Sequence, residues 1–537
     1  MKRWTAWPPA IGIAWVLLFA LYFPSAQPAD ERIQYTEQMV GAGHPTKTDT
    51  LNRLILVEHN TDGTHKYLPG LDVRKYGAKL DGSTNDSTAF GAAHDALPAG
   101  STQNGGALNI PSGIAIIKNW TITTSGANIG GAGSGYVSKQ GATILQPPNG
   151  VSNSNDDVIR VSGTGTYNVV LRDFEIYGIA PNGTDRASRC IASTGTRLRV
   201  ENVYITGCDD WAFDNSISGA DADSSDGGGV FRSQIYGKGV RISSANFTFS
   251  ESYLNGNNST TAIRIQGNSP TFGAPNIVLD KLVVETYQTP ILDIGSSSGG
   301  ATLDVTLRDS SIGSSGGTGT IIQVGDRNGS GGFLCDRSRI SGANTEARAI
   351  TVANLSGWVR IVNCSIIGTY SGGTGAPILL PLGIYGDIEI LGSGQIEWNG
   401  YKSWRFSFLF WGIDGSGYSR GAYHLGGIEA QTTNATPTAI WKFPLPNPSS
   451  AVLKAKVIGE KSDGSAMYGF EVIAGGRNSG TATILGATQQ GATAMNEGSG
   501  SGAAATWVAG TAETQLRVTG IASTTINWRA DVEVLRR

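Results

Sequence analysis

Six aspartates fall within eighteen residues in Cys208-Asp209-Asp210-Trp211-Ala212-Phe213-Asp214 and the following Asp221-Ala222-Asp223-Ser224-Ser225-Asp226-Gly227. Clustered carboxylates suit glycoside cleavage, in which a protonated acid donates to the leaving oxygen while an ionised one activates water or attacks the sugar. Asp209, Asp210 and Asp214 are the catalytic candidates. Trp211 and Phe213 beside them offer ring faces for a sugar, and Arg232 offers a cation to substrate. The competing reading of Asp209-Asp210 is turn chemistry at the end of a strand, where short carboxylates bind nearby backbone N–H groups.

The run from Asp221 has the D-x-D-x-S form of a calcium loop. Asp226 stands at the sixth position, where that loop needs Gly, and Arg232 at the twelfth, where it needs Glu. A solvated loop is therefore expected; no metal ligand and no cofactor are assigned, and Ca²⁺ enters only if the chemistry is β-elimination. Asp173, Glu175, Glu251, Asp280 and Glu285 are further acids. The histidines are His44, His59, His65, His94 and His424, so residues 100–420 contain no imidazole. A lyase would take its base from Arg or Lys, with Arg232, Lys238 and Arg241 as candidates.

Such residues need a scaffold, and the composition indicates an all-β one. Glycine accounts for 75 of 537 residues, and only 15% are charged against a usual ~25%. Short apolar runs recur between Gly/Ser/Asn turns, among them Val169–Ile176, Leu198–Ile205, Val240–Phe249 and Ile277–Val284. Irregular units of roughly 20 to 45 residues, none able to bury its own inner face, predict a solenoid, a parallel β-helix. Coils about 4.8 Å apart place side chains of one column near the ~5–5.5 Å separation of a retaining carboxylate pair. The net charge of −3, without a basic cluster, argues against a nucleic-acid partner.

The segment from Val73 through Lys75-Tyr76-Gly77-Ala78, Asp81-Gly82, Asn85-Asp86, a helix to about Leu97 and Ile110-Pro111-Ser112-Gly113 resembles the opening of the pectate-lyase-like superfamily. The match covers residues 71–125, with Leu80 in place of the usual Gly and Asn85 in place of the first Asp of the pair. It implies a right-handed parallel β-helix capped by the helix that Asp86 or Ser87 begins. Polygalacturonases of that superfamily carry an Asp-Asp pair together with Gly-His-Gly and Arg-x-Lys. Neither motif is found here, so their site does not transfer to Asp209-Asp210.

Lys2-Arg3, the apolar stretch Ile11 to Phe23 and the small residues up to Ala29 form a signal-peptide pattern over residues 1–29, with cleavage near Ala26 or Ala29. Residues 30–70 form a lead-in, 71–400 the β-helix, 401–426 an aromatic-rich end cap or linker, and 427–537 a C-terminal β-sandwich module. Gly520 to Val534, with Ala430 to Pro437 and Lys461-Ser462-Asp463-Gly464, resembles a module of phage tail proteins, as do Gly43 to Lys47 and Glu58 to His65 in the lead-in. That resemblance implies a tailspike-like homotrimer. Tail proteins assemble in the cytoplasm, which a signal peptide contradicts, so secretion and a virion tail stay open as alternatives. Cys190, Cys208, Cys335 and Cys364 are expected as buried apolar residues, or at most one Cys335–Cys364 bridge. The expected partner is polysaccharide, with no membrane after signal cleavage. The expected function is polysaccharide degradation by hydrolase or lyase; the alternatives are a glycan-binding adhesin or structural tail component, and a secreted pectin-type lyase.

Overall fold

The computed structural model describes residues 70–537 apart from 99–104, 135–140, 216–226, 267–273, 296–302, 326–331, 381–386, 414–418, 495–501 and gaps of one to four residues. The expected signal peptide and lead-in, and the run Asp221 to Asp226, lie outside the described residues. Among those described, no helix is long and apolar enough to cross a membrane.

The chain is a parallel β-solenoid whose coils each contribute a strand to three sheets in turn. Arg199–Glu201, Gly229–Phe231 and Thr248–Ser250 are successive strands of the first sheet, and Tyr204–Thr206, Gln234–Tyr236 and Tyr253–Asn255 of the second. Trp211–Asn215, Val240–Ile242 and Ile263–Ile265 belong to the third. Parallel register stacks like on like: Leu171, Val200, Val230, Phe249, Leu279 and Leu307 form one buried column of the first sheet. Each such side chain contributes about 1.5–3 kcal/mol on burial, and no coil could collect that alone.

Runs such as Val169–Ile176 and Leu198–Ile205, which look continuous in sequence, are two strands each. A single left-handed residue turns the corner between them: Asp173, Asn202, Arg232, Glu251, Lys281, Asp309, Arg337 and Asn363 all have φ between 46° and 62°. The next residue faces inward, and serine recurs there. Ser233 Oγ donates to the Phe231 carbonyl (2.9 Å) and accepts from the Val203 N–H (3.2 Å), so the inside of the corner is hydrogen-bonded. Ser310 repeats this with Arg308 and Leu282.

At one end, the helix Ser87–Asp95 lays Phe90 edge-on against Trp120 at 4.9 Å. Asp86 precedes the helix, but its carboxylate accepts from the N–H groups of Lys79 and Leu80 instead of capping it. Leu80 has φ 56°, the conformation that favours the glycine it replaces. At the other end, Arg405–Ile413 pairs antiparallel with Asp387–Leu391, the last parallel strand of the first sheet. Ser419–Thr432, which spans the boundary expected at 426–427, pairs with Arg405–Ile413 and with Ile526–Arg536. Ser449–Lys461, Met467–Asn478 and Ala482–Ala494 extend this antiparallel sheet, and Thr438–Pro444, Glu513–Thr519 and Ala504–Ala509 form a second one. Phe406, Phe408 and Tyr423 of the aromatic-rich segment are buried at this junction, with Phe408 and Tyr423 stacked at 4.3 Å.

Two disulfides join the coils. Cys335–Cys364 matches the one bridge the sequence allows; Cys190–Cys208 corrects the expectation that the other pair stays as thiols. Cys190 enters the third sheet and Cys208 lies in the corner before its next strand, so adjacent coils bring them to a Cα–Cα distance of 5.7 Å.

Candidate functional site

Except for Arg232, the predicted site residues fall on the third sheet and the corner leading into it. Trp211–Asn215 pairs in parallel with Arg189–Ser193 on one side and Val240–Ile242 on the other. Phe213 occupies the inner column, in register with Ile191 and Val240, and has no exposed surface. It therefore cannot stack on a sugar, which corrects its expected role. Asp214 is on the outer side of the same strand, in register with Arg241, which is followed by Arg264 and Asp293 on successive coils.

Guanidinium groups occupy the Asp214 carboxylate. Arg241 Nε donates to Oδ1 at 2.7 Å and its Nη2 to Oδ2, while Arg189 Nη1 reaches Oδ2 at 3.2 Å. Arg189 also holds Asp157, at 2.8 and 3.0 Å, and Arg160 donates to Asp157 at 2.7 and 2.9 Å. Arg264 closes the row on Asp293 at 3.1 Å. Hydrogen bonding to Asp214 holds the Arg241 pKa above its ordinary value, against the effect of burial. For Arg189, burial is the largest influence and works against the charge, but the bonds to Asp157 and Asp214 leave its pKa raised. Charge-assisted bonds of this kind fix side-chain geometry firmly. Asp214, fully buried and bound by two arginines, serves as a counter-ion in this row, an arrangement at odds with its expected catalytic role.

Trp211 lies under this row, its ring centroid 5.5 Å from the Arg241 guanidinium carbon and 5.6 Å from that of Arg264. Only 8% of it is exposed, so the arginines, and not the indole face, meet solvent. Asp209 and Asp210 lie in the corner between Tyr204–Thr206 and Trp211–Asn215. Their N–H groups donate to Ala187 and Ser188 carbonyls of the adjacent coil, both at 2.9 Å. Asp209 is half-buried and Asp210 exposed beside the row, its charge reaching Arg241. Arg232 stands apart, at a corner between the first and second sheets, 3.5 Å from Glu201. Among the other acids, Glu251 is 3.6 Å from Lys281, and Glu285 accepts from the Tyr253 hydroxyl at 3.1 Å.

The arginines of this row escaped sequence reading except Arg241, considered only as a base. Their signal is a charged residue in strands that otherwise face the core, at Arg160, Arg189 and Arg264. Among the described residues, no three or more His, Cys, Asp or Glu side chains are grouped to hold a metal ion.

No protein-family profile matches the sequence, and no curated protein matches it. Solved structures resemble it at low similarity. ORF18 of Geobacillus virus E2 is 14% identical with a TM-score of 0.45, over 85% of this chain and 81% of that one. The tailspike protein gp49 of Acinetobacter baumannii bacteriophage Fri1, described as a capsular polysaccharide depolymerase, is 11% identical at TM-score 0.37, over 87% and 86%. The Streptococcus pneumoniae surface protein and adhesin PfbA is 16% identical at TM-score 0.43, over 58% and 88%.

Proposed function

We propose that this chain binds polysaccharide along the outside of its solenoid and cleaves it at the corner that carries Asp209 and Asp210. The supporting observation is the exposed Asp210 beside a row of partly exposed guanidinium groups from Arg160, Arg189, Arg241 and Arg264. A linear polymer laid along the axis meets these groups coil after coil, at the roughly 4.8 Å spacing of stacked strands. Asp210 is open to solvent, and Asp209 is one residue away. The arginines would orient hydroxyl and carboxylate groups of the glycan by hydrogen bonding.

The second reading is a glycan-binding adhesin without cleavage, favoured by the engagement of Asp157, Asp214 and Asp293 with arginine. We place the protein outside the cell or on a virion tail, as a homotrimer. Support for self-association comes from Leu535 and Val452 on neighbouring strands and Leu409 two strands from Leu535, each about half exposed. They border a hollow of about 550 Å³ at the junction with the solenoid.

The test is incubation of purified protein with pectins and bacterial surface polysaccharides, reading reducing ends together with the ultraviolet absorbance of unsaturated sugars. Reducing ends alone mean hydrolysis, and both signals together mean β-elimination. Cleavage should fall about 100-fold or more in Asp210→Asn or Asp209→Asn, the scale of a lost acid or base. Binding without either signal selects the adhesin.

A further inference from the structure

We propose that the outer face of the second sheet is a glycan subsite of its own, built by tyrosines and directed at an uncharged polysaccharide; this rests on the polysaccharide reading above. Tyr204, Tyr236 and Tyr253 come from three successive strands, with ring centroids 5.2 Å apart for the first pair and 5.6 Å for the second. Tyr177, one coil earlier, lies in the register column of Tyr236. All four are half-buried, so each ring is anchored by packing while part of it meets solvent. Anchored tyrosines offer broad contact at low entropic cost, with a hydroxyl at the wet end.

The polar residues among the rings are set for hydroxyl groups. Asn255 Nδ2 donates to the Tyr253 hydroxyl at 2.9 Å, and that hydroxyl donates to Glu285 at 3.1 Å. Thr286 Oγ1 donates to Asn255 Oδ1, fixing the amide. Asn255 and Glu285 continue the Tyr177–Tyr236 column on the next two coils. From Glu175 to Glu285 these two columns contain no lysine or arginine; of their two carboxylates Glu175 is buried and Glu285 is exposed. An acidic glycan would meet like charge here, whereas the apolar faces and hydroxyls of neutral sugars find rings and hydrogen-bonding groups. The patch follows the coil axis, which suits a linear chain. It also differs in chemistry from the arginine row of the third sheet.

Affinity electrophoresis of the full chain through gels containing dextran, glucomannan or galactomannan, and in parallel polygalacturonate or alginate, tests this. Retardation by at least one neutral glycan is expected. It should weaken about tenfold or more in Tyr204→Ala/Tyr236→Ala and persist in Tyr236→Phe, which keeps the ring. A thermal scan of each variant verifies folding, and Glu285→Lys, which leaves the rings in place, should gain retardation by the acidic glycans. Neutral-glycan retardation that the double variant retains overturns the subsite. Retardation by acidic glycans only, abolished in Arg264→Ala, overturns the subsite but keeps the polysaccharide reading. No retardation in any gel, together with no cleavage, overturns both.

Discussion

Arg241 stands one coil from Asp214 in exact parallel register, and its Nε lies 2.7 Å from the Asp214 Oδ1. Arg189 reaches the same carboxylate from the coil on the other side. A carboxylate with no exposed surface has thus been matched to donors from both neighbouring coils, each about a quarter exposed. The pairing compensates desolvation and leaves the outer side of the arginines available to a ligand.

Replacing Asp214 by Asn should cost about 3 kcal/mol, the lower end for breaking a buried ion pair, because two partly buried guanidinium groups lose their counter-charge. Glycan cleavage by the folded variant should stay near that of the parent. Thermal unfolding and reducing-end assays check this together; cleavage lost with the melting temperature unchanged would restore Asp214 to the catalytic set.

Arg232 occupies a left-handed corner with φ 47°. That conformation costs a side-chain-bearing residue about 1–2 kcal/mol, while its exposed ion pair with Glu201 contributes little. Arg232→Gly should therefore raise stability by about 0.5–1 kcal/mol after the entropic penalty of glycine, with glycan binding retained. Lower stability, or lost binding, would assign the Arg232 side chain a role of its own.

Opening either disulfide should destabilise the fold by about 3 kcal/mol, given sequence separations of 18 and 29 residues. Peptide mapping without reductant should recover Cys190 joined to Cys208 and Cys335 joined to Cys364. Both Cys190→Ser/Cys208→Ser and reductant treatment of the parent should lower the melting temperature. Four alkylatable thiols in protein prepared without reductant would contradict the pairing.

Acid should destabilise the protein through carboxylates held below their usual range. The Ser152 N–H does this for Asp156, and the Gly150 N–H for Asp185. For Glu346, burial pushes the pKa up, but hydrogen bonds from Ser314, Ala343 and Thr345 outweigh it and leave the pKa lowered. Their folded-state pKa values lie below the unfolded ones, so their stabilisation is present above the ordinary carboxylate value of about 4 and is lost as pH falls through the folded values. The melting temperature should stay level from about pH 7 to about pH 5 and decline below about pH 4. Glu346→Gln should make that decline shallower, and an unchanged slope would remove Glu346 from the account.

The solenoid was legible because its inner columns repeat: Val200, Val230, Phe249 and Leu279 each follow a polar turn, and apolar periodicity survives variation in coil length. The corners were not. Left-handed turns are usually marked by Gly or Asn, yet Arg232, Glu251, Lys281 and Arg337 hold them here, because hydrogen bonds to the next coil fix the backbone whatever the side chain. The Arg189–Asp214–Arg241 row spans separations of 25 and 27 residues that no fixed period predicts. The same irregularity hid Cys190–Cys208 and the tyrosines at 204, 236 and 253. Asp209, Asp210 and Trp211 could be placed near a corner from sequence. Which face Phe213 and Asp214 take depends on register, and a one-residue slip would exchange them.

The reversal of strand direction at Ile388 and Phe408 has a further effect. A stack of parallel strands is self-templating: its last rung offers the same open row of amides and carbonyls that received the rung before it, which is the geometry of fibril growth. Here Arg405–Ile413 and Tyr401–Ser403 seal the terminal rungs of two sheets with strands of opposite polarity. A further parallel rung cannot dock on either of those two terminal strands, because an antiparallel strand of the same polypeptide already occupies its hydrogen-bonding edge.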